Sequence, residues 1–236
     1  MNALARQIAE LDWPTLAAQL DASGQALIPG LLSRSQCETL RALYEEDSPF
    51  RSRVVMARYN FGQGEYRYFA YPLPALVQAL REGFYPPLRR IANTWHQRMD
   101  TGISYPQTHA GFLAQCHGAG QLRPTPLLLR YGVGDYNCLH QDLYGELAFP
   151  LQVAILLSRP GEEFEGGEFV LTEQRPRMQS RVEVVSLRQG DAVVFAVAQR
   201  PVRGVRGYHR VNLRHGVSRL HGGERYTLGV IFHDAL

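Results

Sequence analysis

A histidine and an aspartate stand two residues apart in the segment YGVGDYNCLHQDLY, which spans residues 131–144. Side chains at positions i and i+2 of an extended strand point to the same face, so His140 and Asp142 can hold one metal ion together. A third ligand must come from elsewhere in the chain. If it is a second histidine, the set is the two-histidine, one-carboxylate triad that leaves coordination positions open on non-haem Fe(II).

The candidates for the third ligand are the histidines that follow this segment, His209, His215, His221 and His233. His215 follows the strand-like run RVNLR, and Arg225 comes ten residues later, at the start of the run YTLGVIF. A strand, a tight turn at Gly222-Gly223 and a second strand would bring His215 and Arg225 together. An isolated histidine is more often structural and HxD occurs by chance, but the combination predicts a metal site.

The arginine that trails the third histidine suggests a second ligand. A guanidinium pairs with a carboxylate through two hydrogen bonds, so Arg225 can hold the distal carboxylate of 2-oxoglutarate. The keto-acid end would then chelate iron and leave one position for O2. Tyr131, at the end of a strand-like run, can donate its hydroxyl to the same carboxylate. We therefore predict that Arg225 and Tyr131 bind the co-substrate.

Length and composition agree with one large globular domain, since the chain has 236 residues, 45% of them hydrophobic and 20% charged. The net charge is +3 and every basic residue is arginine, which codon bias explains most simply, although arginine also suits phosphate and carboxylate binding. Cys37, Cys116 and Cys138 form no CxxC pair, which favours reduced thiols. The first residues contain no apolar run long enough for a secretory h-region, and no run of about 18 apolar residues occurs, so we expect a cytoplasmic protein without membrane contact.

The elements around the site fall into two regions with a boundary near residue 122. Residues 1–122 are expected to be mainly helical, with a second helix starting at Pro14, a capping box opening a helix at Ser33, and a long helix from Leu76 to Met99 broken at Pro86-Pro87. Residues 123–236 carry short strand-like runs separated by turns, which predict a sandwich or barrel. The two regions are expected to form one compact unit.

Residues 50–71 interleave arginines with aromatic residues. In a nucleic-acid-binding protein, such arginines would bind phosphates and the aromatic rings would stack on bases. The other interpretation is an amphipathic hairpin that turns at Gly62-Gln63-Gly64, with its rings in the core and its arginines in solvent. The substrate candidates in this stretch are Arg51, Arg53, Arg58, Tyr59, Phe61, Tyr66, Arg67 and Tyr68.

The order His140-x-Asp142, His215, Arg225 resembles the 2-oxoglutarate- and Fe(II)-dependent oxygenases over roughly residues 125–235. This resemblance implies an α+β fold whose core is a double-stranded β-helix, or jelly roll, with an N-terminal helical layer. It implies a dioxygenase in which His140, Asp142 and His215 bind iron. Arg225 and Tyr131 would bind 2-oxoglutarate.

The motifs resemble more than one branch of this superfamily. The run Tyr131-Gly-Val-Gly134 followed by HQD resembles the YxPG and HQD segment of AlkB-type demethylases of alkylated nucleobases, with Val133 in place of proline. The ten-residue interval from His215 to Arg225 and the GGEF turn at residues 166–169 are nearer to prolyl hydroxylases. Over nearly its full length, the chain resembles a bacterial family of oxygenases predicted to act on damaged DNA.

That resemblance implies DNA repair by oxidative demethylation, with release of succinate, CO2 and formaldehyde. The alkylated base would have to be single-stranded or flipped, and held by aromatic and arginine side chains. Tyr144 is a further candidate for substrate contact. A basic rim is expected from residues 174–177 (QRPR), Arg181, Arg200, Arg203 and Arg206.

Two other functions remain open from the sequence. One is a prolyl, peptidyl or small-molecule hydroxylase of the same superfamily. The other is a non-enzymatic binding protein built on a jelly roll.

Overall fold

The computed structural model describes residues 3–143 and 145–236, so the expected substrate contact of Tyr144 lies outside the described residues. Its helices are α1 (Ala3–Ala9), α2 (Trp13–Ser23), α3 (Arg34–Ala42), α4 (Ala75–Arg98) and α5 (His109–Gly118), with short 3-10 helices at Leu43–Glu45 and Met56–Tyr59. Its strands are β1 (Gln25–Ile28), β2 (Phe50–Val55), β3 (Gly62–Gln63), β4 (Glu65–Phe69), β5 (Leu127–Tyr131), β6 (Tyr136–His140), β7 (Leu151–Leu156), β8 (Phe164–Gly166), β9 (Phe169–Gln174), β10 (Arg181–Val185), β11 (Ala192–Ala196), β12 (Gln199–Gly204), β13 (Gly207–Val217), β14 (Leu220–Gly223) and β15 (Arg225–Val230).

The strands form two main sheets. The larger sheet has seven strands in the order β1-β11-β7-β15-β5-β4-β2, and the smaller has the order β10-β9-β13-β6-β3, with β12 pairing with β13. Strands β8 and β14 form a separate pair. Side chains from both main sheets line one cavity, so the sheets face each other. Open, facing antiparallel sheets with strand crossovers confirm the predicted α+β jelly roll.

The helical layer packs against the larger sheet through aromatic side chains. Tyr85 of α4 contacts Phe149, just before β7, and Phe232, just after β15, with ring centroids 5.4 and 6.4 Å apart. All six residues of β7 and all five of β11 are buried. Apolar residues on both faces of these strands are what a sheet covered on both sides requires.

Strands from both sides of residue 122 share both main sheets. From the N-terminal region, β1 pairs with β11, β4 pairs with β5, and the short β3 pairs with β6. The helical N-terminal region therefore supplies strands to the core as well as a covering layer.

The helix starts predicted from the sequence are confirmed, but one predicted helix break is wrong. Trp13–Ser23 begins with Pro14 in its first turn, and Ser33 caps α3 through a full capping box with Gln36, both as predicted. The expected break at Pro86-Pro87 is wrong, because α4 runs without interruption from Ala75 to Arg98. The two prolines remove backbone hydrogen bonds, but the complete burial of neighbouring Phe84, Tyr85 and Leu88 keeps the helix in place.

The arginine-rich stretch contains a β2–β4 hairpin, but the expected turn at residues 62–64 is wrong. Its connection is longer, and within it β3 leaves the larger sheet to pair with β6 of the smaller one. Gly62 has φ +130°, and a Cβ at this position would lie 2.3 Å from the carbonyl oxygen of Tyr136. A glycine is needed there because only it permits both this backbone conformation and this approach.

No helix among the described residues is long and apolar enough to span a membrane.

Two buried histidines outside the cavity should make the fold sensitive to acid. Burial, with help from the charge of Arg81, lowers the pKa values of His109 and His233 from 6.5 to about 4. Between about pH 6.5 and pH 4 the unfolded chain binds protons that the folded chain does not, so stability falls as the pH falls. Two such groups give a slope of up to about 3 kcal/mol per pH unit.

Chemical denaturation of the metal-free protein at several pH values measures that slope. The double variant His109→Gln/His233→Gln is expected to show a shallower dependence between pH 6.5 and 4, whereas the exposed His117→Gln serves as control. Equal slopes for the double variant and the parent would contradict this assignment.

Candidate active site

Three side chains with metal-binding atoms meet in the cavity between the sheets. The ligand atoms of His140, Asp142 and His215 all lie within 4.8 Å of one another. Nε2 of His140 lies 3.2 Å from Oδ1 of Asp142, and Nε2 of His215 lies 3.3 Å from Oδ2 of the same carboxylate. One carboxylate bridging two imidazole nitrogens is an arrangement into which a cation can insert. Two nitrogens and one oxygen on one side leave further coordination positions open.

Strand pairing explains how these residues come together. His140 is the last residue of β6, and it stands directly opposite His215 of β13 in the antiparallel register. Their rings lie 4.2 Å apart between centroids. Asp142 comes after β6 has ended, so its position is set by the loop rather than by the alternation of a strand. Between the two ligands, Gln141 donates to the carbonyl of Leu213 at 2.8 Å and thereby ties this loop to β13.

His215 and Arg225 meet in the cavity, but not through the expected tight turn. Strand β13 is longer than predicted, and it belongs to the smaller sheet whereas β15 belongs to the larger one. Between them, β14 pairs with β8. A hairpin would have kept both residues in one sheet, and the prediction was therefore wrong about the connection. The crossover instead lets His215 and Arg225 approach the cavity from opposite walls.

Hydrogen bonds and burial set the charge of the three residues. Nδ1 of His140 lies 2.8 Å from the carbonyl of Cys138, so it carries the proton and leaves Nε2 directed at the site. Burial favours the neutral form of Asp142, but hydrogen bonds from both histidines outweigh it and hold the pKa of this carboxyl well below 3.8. Burial lowers the pKa of His215, while at His140 the hydrogen bond and charge of Asp142 overcome burial and raise the pKa.

Arg225 and Tyr131 face the same cavity from the larger sheet. They are directly opposite each other on β15 and β5, and the guanidinium lies 5.6 Å from the centre of the tyrosine ring. Arg225 is 2% exposed and Tyr131 is 0% exposed. Nη1 of Arg225 donates to Oγ1 of Thr227 at 2.6 Å. Burial lowers the pKa of Arg225 to about 10, so it remains charged at neutral pH.

Several buried polar atoms of the cavity wall have no hydrogen-bond partner within residues 3–143 and 145–236. They include Nε of Arg225, Oη of Tyr131 and Nδ1 of His215. A buried cation without an acidic partner in contact calls for an anionic ligand, because leaving it unpaired costs free energy. A carboxylate would accept from both Arg225 and Tyr131. The donor set therefore fits Fe(II) at the histidines and aspartate and 2-oxoglutarate at the arginine.

The cavity has a volume of about 190 Å³ and is lined by both charged and aromatic side chains. Arg225 and Tyr131 lie at one end of the strands of the larger sheet. Aromatic side chains of β4 and of the segment before it, Phe61, Tyr66 and Tyr68, also line the cavity. Of these, Tyr68 is level with Leu127, four residues along β5 from Tyr131. Phe61 is 46% exposed, whereas Tyr66 is 8% exposed. The aromatic side of the cavity therefore reaches the surface at Phe61.

The other candidates of the arginine-rich stretch lie in different surroundings. Arg51 donates from Nε to the carbonyl of Pro124 at 2.9 Å and lies 4.5 Å over the ring of Tyr68. Arg53 pairs with Glu65, and Arg67 pairs with Asp47 at 3.1 Å. Arg53, Arg58 and Tyr59 are exposed, and the ring of Tyr59 is stacked on that of Phe61 with centroids 5.5 Å apart.

The residues expected to form a basic rim also differ from one another. Arg200 is 1% exposed and donates from Nε to Glu173 at 3.0 Å, so it belongs to the interior. Arg175 pairs with the same carboxylate at 2.9 Å, and Arg181 lies 3.4 Å from Glu183. Arg203 and Arg206 are exposed near the β12–β13 turn.

The polar residues of the cavity wall that were missed from the sequence include Thr227 and Gln152. Thr227 follows Arg225 by two residues on the same strand, a spacing that places both on one face. Gln152 is the one polar residue in the buried run LQVAIL of β7. The two-residue spacing from Arg225 could have identified Thr227. The presence of a single polar residue in an apolar strand could have identified Gln152.

Comparison with known proteins identifies relatives of the whole fold. A family described as "Oxygenase, catalysing oxidative methylation of damaged DNA" matches residues 64–235. Two uncharacterized proteins from two strains of Mycobacterium tuberculosis are 49% identical over 167 residues, covering 71% of this chain and 72% of theirs.

Solved structures show the same fold at low sequence identity. A Pseudomonas putida prolyl-4-hydroxylase is 14% identical with a TM-score of 0.56, covering 94% of this chain and all of its own. A Burkholderia pseudomallei oxidoreductase of the 2OG-Fe(II) oxygenase family is 17% identical with a TM-score of 0.56, covering 96% of this chain and 93% of that one.

The family match covers most of the chain and includes the proposed ligands of iron and 2-oxoglutarate, which are His140, Asp142, His215, Arg225 and Tyr131. The predicted enzyme class is thereby confirmed. The chain belongs to the oxygenase family described as acting on damaged DNA.

Proposed function

We propose that this protein is an Fe(II)- and 2-oxoglutarate-dependent dioxygenase that oxidatively removes alkyl groups from damaged DNA bases. The observation that carries the proposal is the convergence of His140, Asp142 and His215 with Arg225 in one cavity that aromatic side chains also line. In this proposal the first three residues bind iron. Arg225 and Tyr131 bind the co-substrate.

Bound iron with O2 and 2-oxoglutarate supplies hydroxylation of a C–H bond, with succinate and CO2 as co-products. On an N-methyl group the hydroxylated carbon leaves as formaldehyde and the base is restored. The residues of the chain position these reactants. Cys138 holds His140 in the tautomer that presents Nε2, and Thr227 holds the guanidinium of Arg225. The buried charge of Arg225 fixes the far end of the co-substrate, which directs its other end towards the metal.

The surroundings of the cavity support a nucleobase as substrate. Phe61, Tyr66 and Tyr68 line its aromatic side, where a flipped or single-stranded base can stack. The guanidinium of Arg51 lies over the ring of Tyr68, and its Nε donates to the carbonyl of Pro124. Arg123 directly precedes Pro124 in the chain. Tyr59 stacks on the exposed ring of Phe61, and the exposed Arg58 precedes Tyr59 in the chain. Guanidinium groups near a stacking surface suit the phosphates on either side of a base.

The test is a panel of substrates incubated with iron, 2-oxoglutarate and O2. Single- and double-stranded oligonucleotides with methylated bases are compared with unmodified oligonucleotides, proline-containing peptides and free amino acids. Formaldehyde and succinate released in equal amounts only with methylated oligonucleotides is the expected result. Absence of turnover on every methylated strand would refute the proposal.

A variant of the aromatic surface sharpens this test. Phe61→Ala should raise the KM for the oligonucleotide without changing the KM for 2-oxoglutarate, because stacking is worth about 1–3 kcal/mol per base. Tyr208→Ala is the matched control, since Tyr208 is exposed like Phe61 but stacks with Arg98 outside the cavity. Equal effects of both substitutions would argue against a stacking role for Phe61.

A prolyl or peptidyl hydroxylase is the second candidate. It is favoured by the short interval from His215 to Arg225, the GGEF turn and the shared fold of a prolyl-4-hydroxylase. A hydroxylated peptide in the same panel, detected by mass spectrometry, would replace the first proposal. Membership of an oxygenase family argues against the third reading, a binding protein without catalysis.

A further inference from the structure

One polar side chain of the cavity has no role in the chemistry described above. Gln152 lies on β7 between Leu151 and Val153 and is 4% exposed. It lines the same cavity as the metal-binding residues. Its Nε2 has no hydrogen-bond partner within the described parts of the chain, residues 3–143 and 145–236.

Packing gives no reason for an amide at this position. Residue 152 stands in a strand that is otherwise Leu, Val, Ala and Ile, and all of these residues are buried. A buried donor without a partner destabilises the fold, and an apolar side chain of similar size would remove that cost. Since buried polar groups in folded proteins nearly all have partners, an unpaired one that borders a cavity indicates a ligand.

Strand register places Gln152 at the end of the cavity away from Arg225. Arg225 is level with Tyr131, whereas Gly229 is level with Leu127 and Ala154, and Val230 is level with Val153. Each step along the strands moves about 3.3 Å. Gln152 is one further step beyond Val153 and stands opposite Phe195 of β11. It therefore lies several residues along the sheet from the proposed co-substrate anchor.

The surroundings of Gln152 are apolar. Leu127, Phe195 and Ile231 line the cavity near this level, and Phe195 lies 4.6 Å from the ring of His215. The side chain thus presents a polar group in an apolar pocket that reaches the proposed metal position. Such a pocket suits a planar, mostly apolar group that carries a few hydrogen-bonding atoms at its edge.

We propose that Gln152 recognises the edge of the substrate base through hydrogen bonds from its amide. An amide offers a donor and an acceptor side by side, which matches a base edge that carries an acceptor next to an exocyclic amine. Phe195 and the aromatic side chains of the cavity would contact the faces of the ring. This inference rests on the proposed function for its substrate class, and it adds the residue that selects among bases.

The chemistry of the amide argues against 2-oxoglutarate as its ligand. A carboxylate only accepts hydrogen bonds, so it could use Nε2 but would face the oxygen of the same amide. Arg225 and Tyr131 already offer hydrogen-bond donors at the other end of the cavity. An amide is better matched to a neutral group with both donors and acceptors.

Binding and turnover of paired probes test the inference. Gln152→Leu is compared with the parent on oligonucleotides that carry either a methylated base with an intact exocyclic amine and ring acceptor, or an analogue lacking them. We expect the preference of the parent for the intact base to fall by about 10- to 100-fold in the variant, as for the loss of a two-bond base contact. Gln115→Leu, on the exposed side of α5, is the control.

Two further readouts separate recognition from a structural role. Gln152→Leu should raise the melting temperature, because it removes an unpaired buried amide, and should leave the KM for 2-oxoglutarate within about twofold of the parent. A lower melting temperature together with unchanged base preference would show that Gln152 is structural and would overturn the inference.

The outcome for Gln152 can be told apart from that for the proposed function. Binding of methylated nucleosides is measured by thermal shift without O2, so it does not depend on turnover. If nucleosides bind in a manner that depends on Gln152 but no oligonucleotide yields formaldehyde, the inference stands and the proposed function fails. If no nucleoside or oligonucleotide probe distinguishes Gln152→Leu from the parent, the inference fails whatever the panel shows.

Discussion

Replacing Asp142 by alanine is expected to abolish both iron retention and succinate release. Asp142 supplies the only carboxylate of the cluster and contacts Nε2 of His140 and of His215, at 3.2 and 3.3 Å. Partners that merely orient a ligand change metal affinity by about 10- to 100-fold. Loss of the charged ligand itself should therefore lower iron affinity by more than about 100-fold. Iron that remains bound after desalting, together with succinate measured by NMR, checks this result.

The control for this substitution lies on the same strand as one of the proposed ligands. His209 is an exposed histidine of β13, six residues before His215 and outside the cavity lining. His209→Gln should retain iron and turnover like the parent, whereas His215→Gln should lose both. Normal iron binding in Asp142→Ala and His215→Gln would rule out the proposed metal site.

Replacing Arg225 by glutamine is expected to raise the KM for 2-oxoglutarate strongly while leaving iron bound. The guanidinium is 2% exposed, and its Nε has no protein partner in the described ranges. Loss of one partner from a buried, hydrogen-bonded charge pair costs about 2–5 kcal/mol, which corresponds to a factor of about 30 to several thousand. The KM follows from succinate formation at increasing 2-oxoglutarate concentrations.

Arg130 provides a matched control because it lies on the strand next to Arg225 but points away from the cavity. Its guanidinium pairs with Glu224 at 2.6 Å. Arg130→Gln should keep the parent KM for 2-oxoglutarate even if its stability is slightly lower. Similar KM values for Arg225→Gln and the parent would show that the co-substrate carboxylate binds elsewhere.

The proposed active-site residues could be predicted from the sequence because their types and their spacing along the chain are local properties. The two-residue spacing marked His140 and Asp142 as a pair, although the loop after β6 rather than strand alternation places Asp142, and the distance to His215 and Arg225 follows a family pattern. Short strands separated by turns likewise predicted a sandwich or barrel, and the resemblance to the oxygenases specified the jelly roll. The ten-residue interval that follows His215 likewise made Arg225 a candidate for binding 2-oxoglutarate.

Long-range contacts decided what the sequence left open. The arginines of residues 50–71 look alike in the sequence, but the fold pairs Arg53 with Glu65 and sets Arg51 against Tyr68. Their partners lie on other strands or loops, so residue type alone could not separate them. The direct pairing of His140 with His215 is likewise a matter of register between distant strands.

The sequence by itself determined which residue types were available for chemistry and their order along the chain. Tertiary structure alone decided that β13 and β15 lie in opposite sheets, so that His215 and Arg225 face one cavity from two walls. It also placed Gln152, whose Nε2 has no partner among the described residues, at the end of that cavity away from Arg225. The physical reason is that side-chain alternation is local, whereas the pairing of strands and the burial of a polar group depend on residues far apart in the chain.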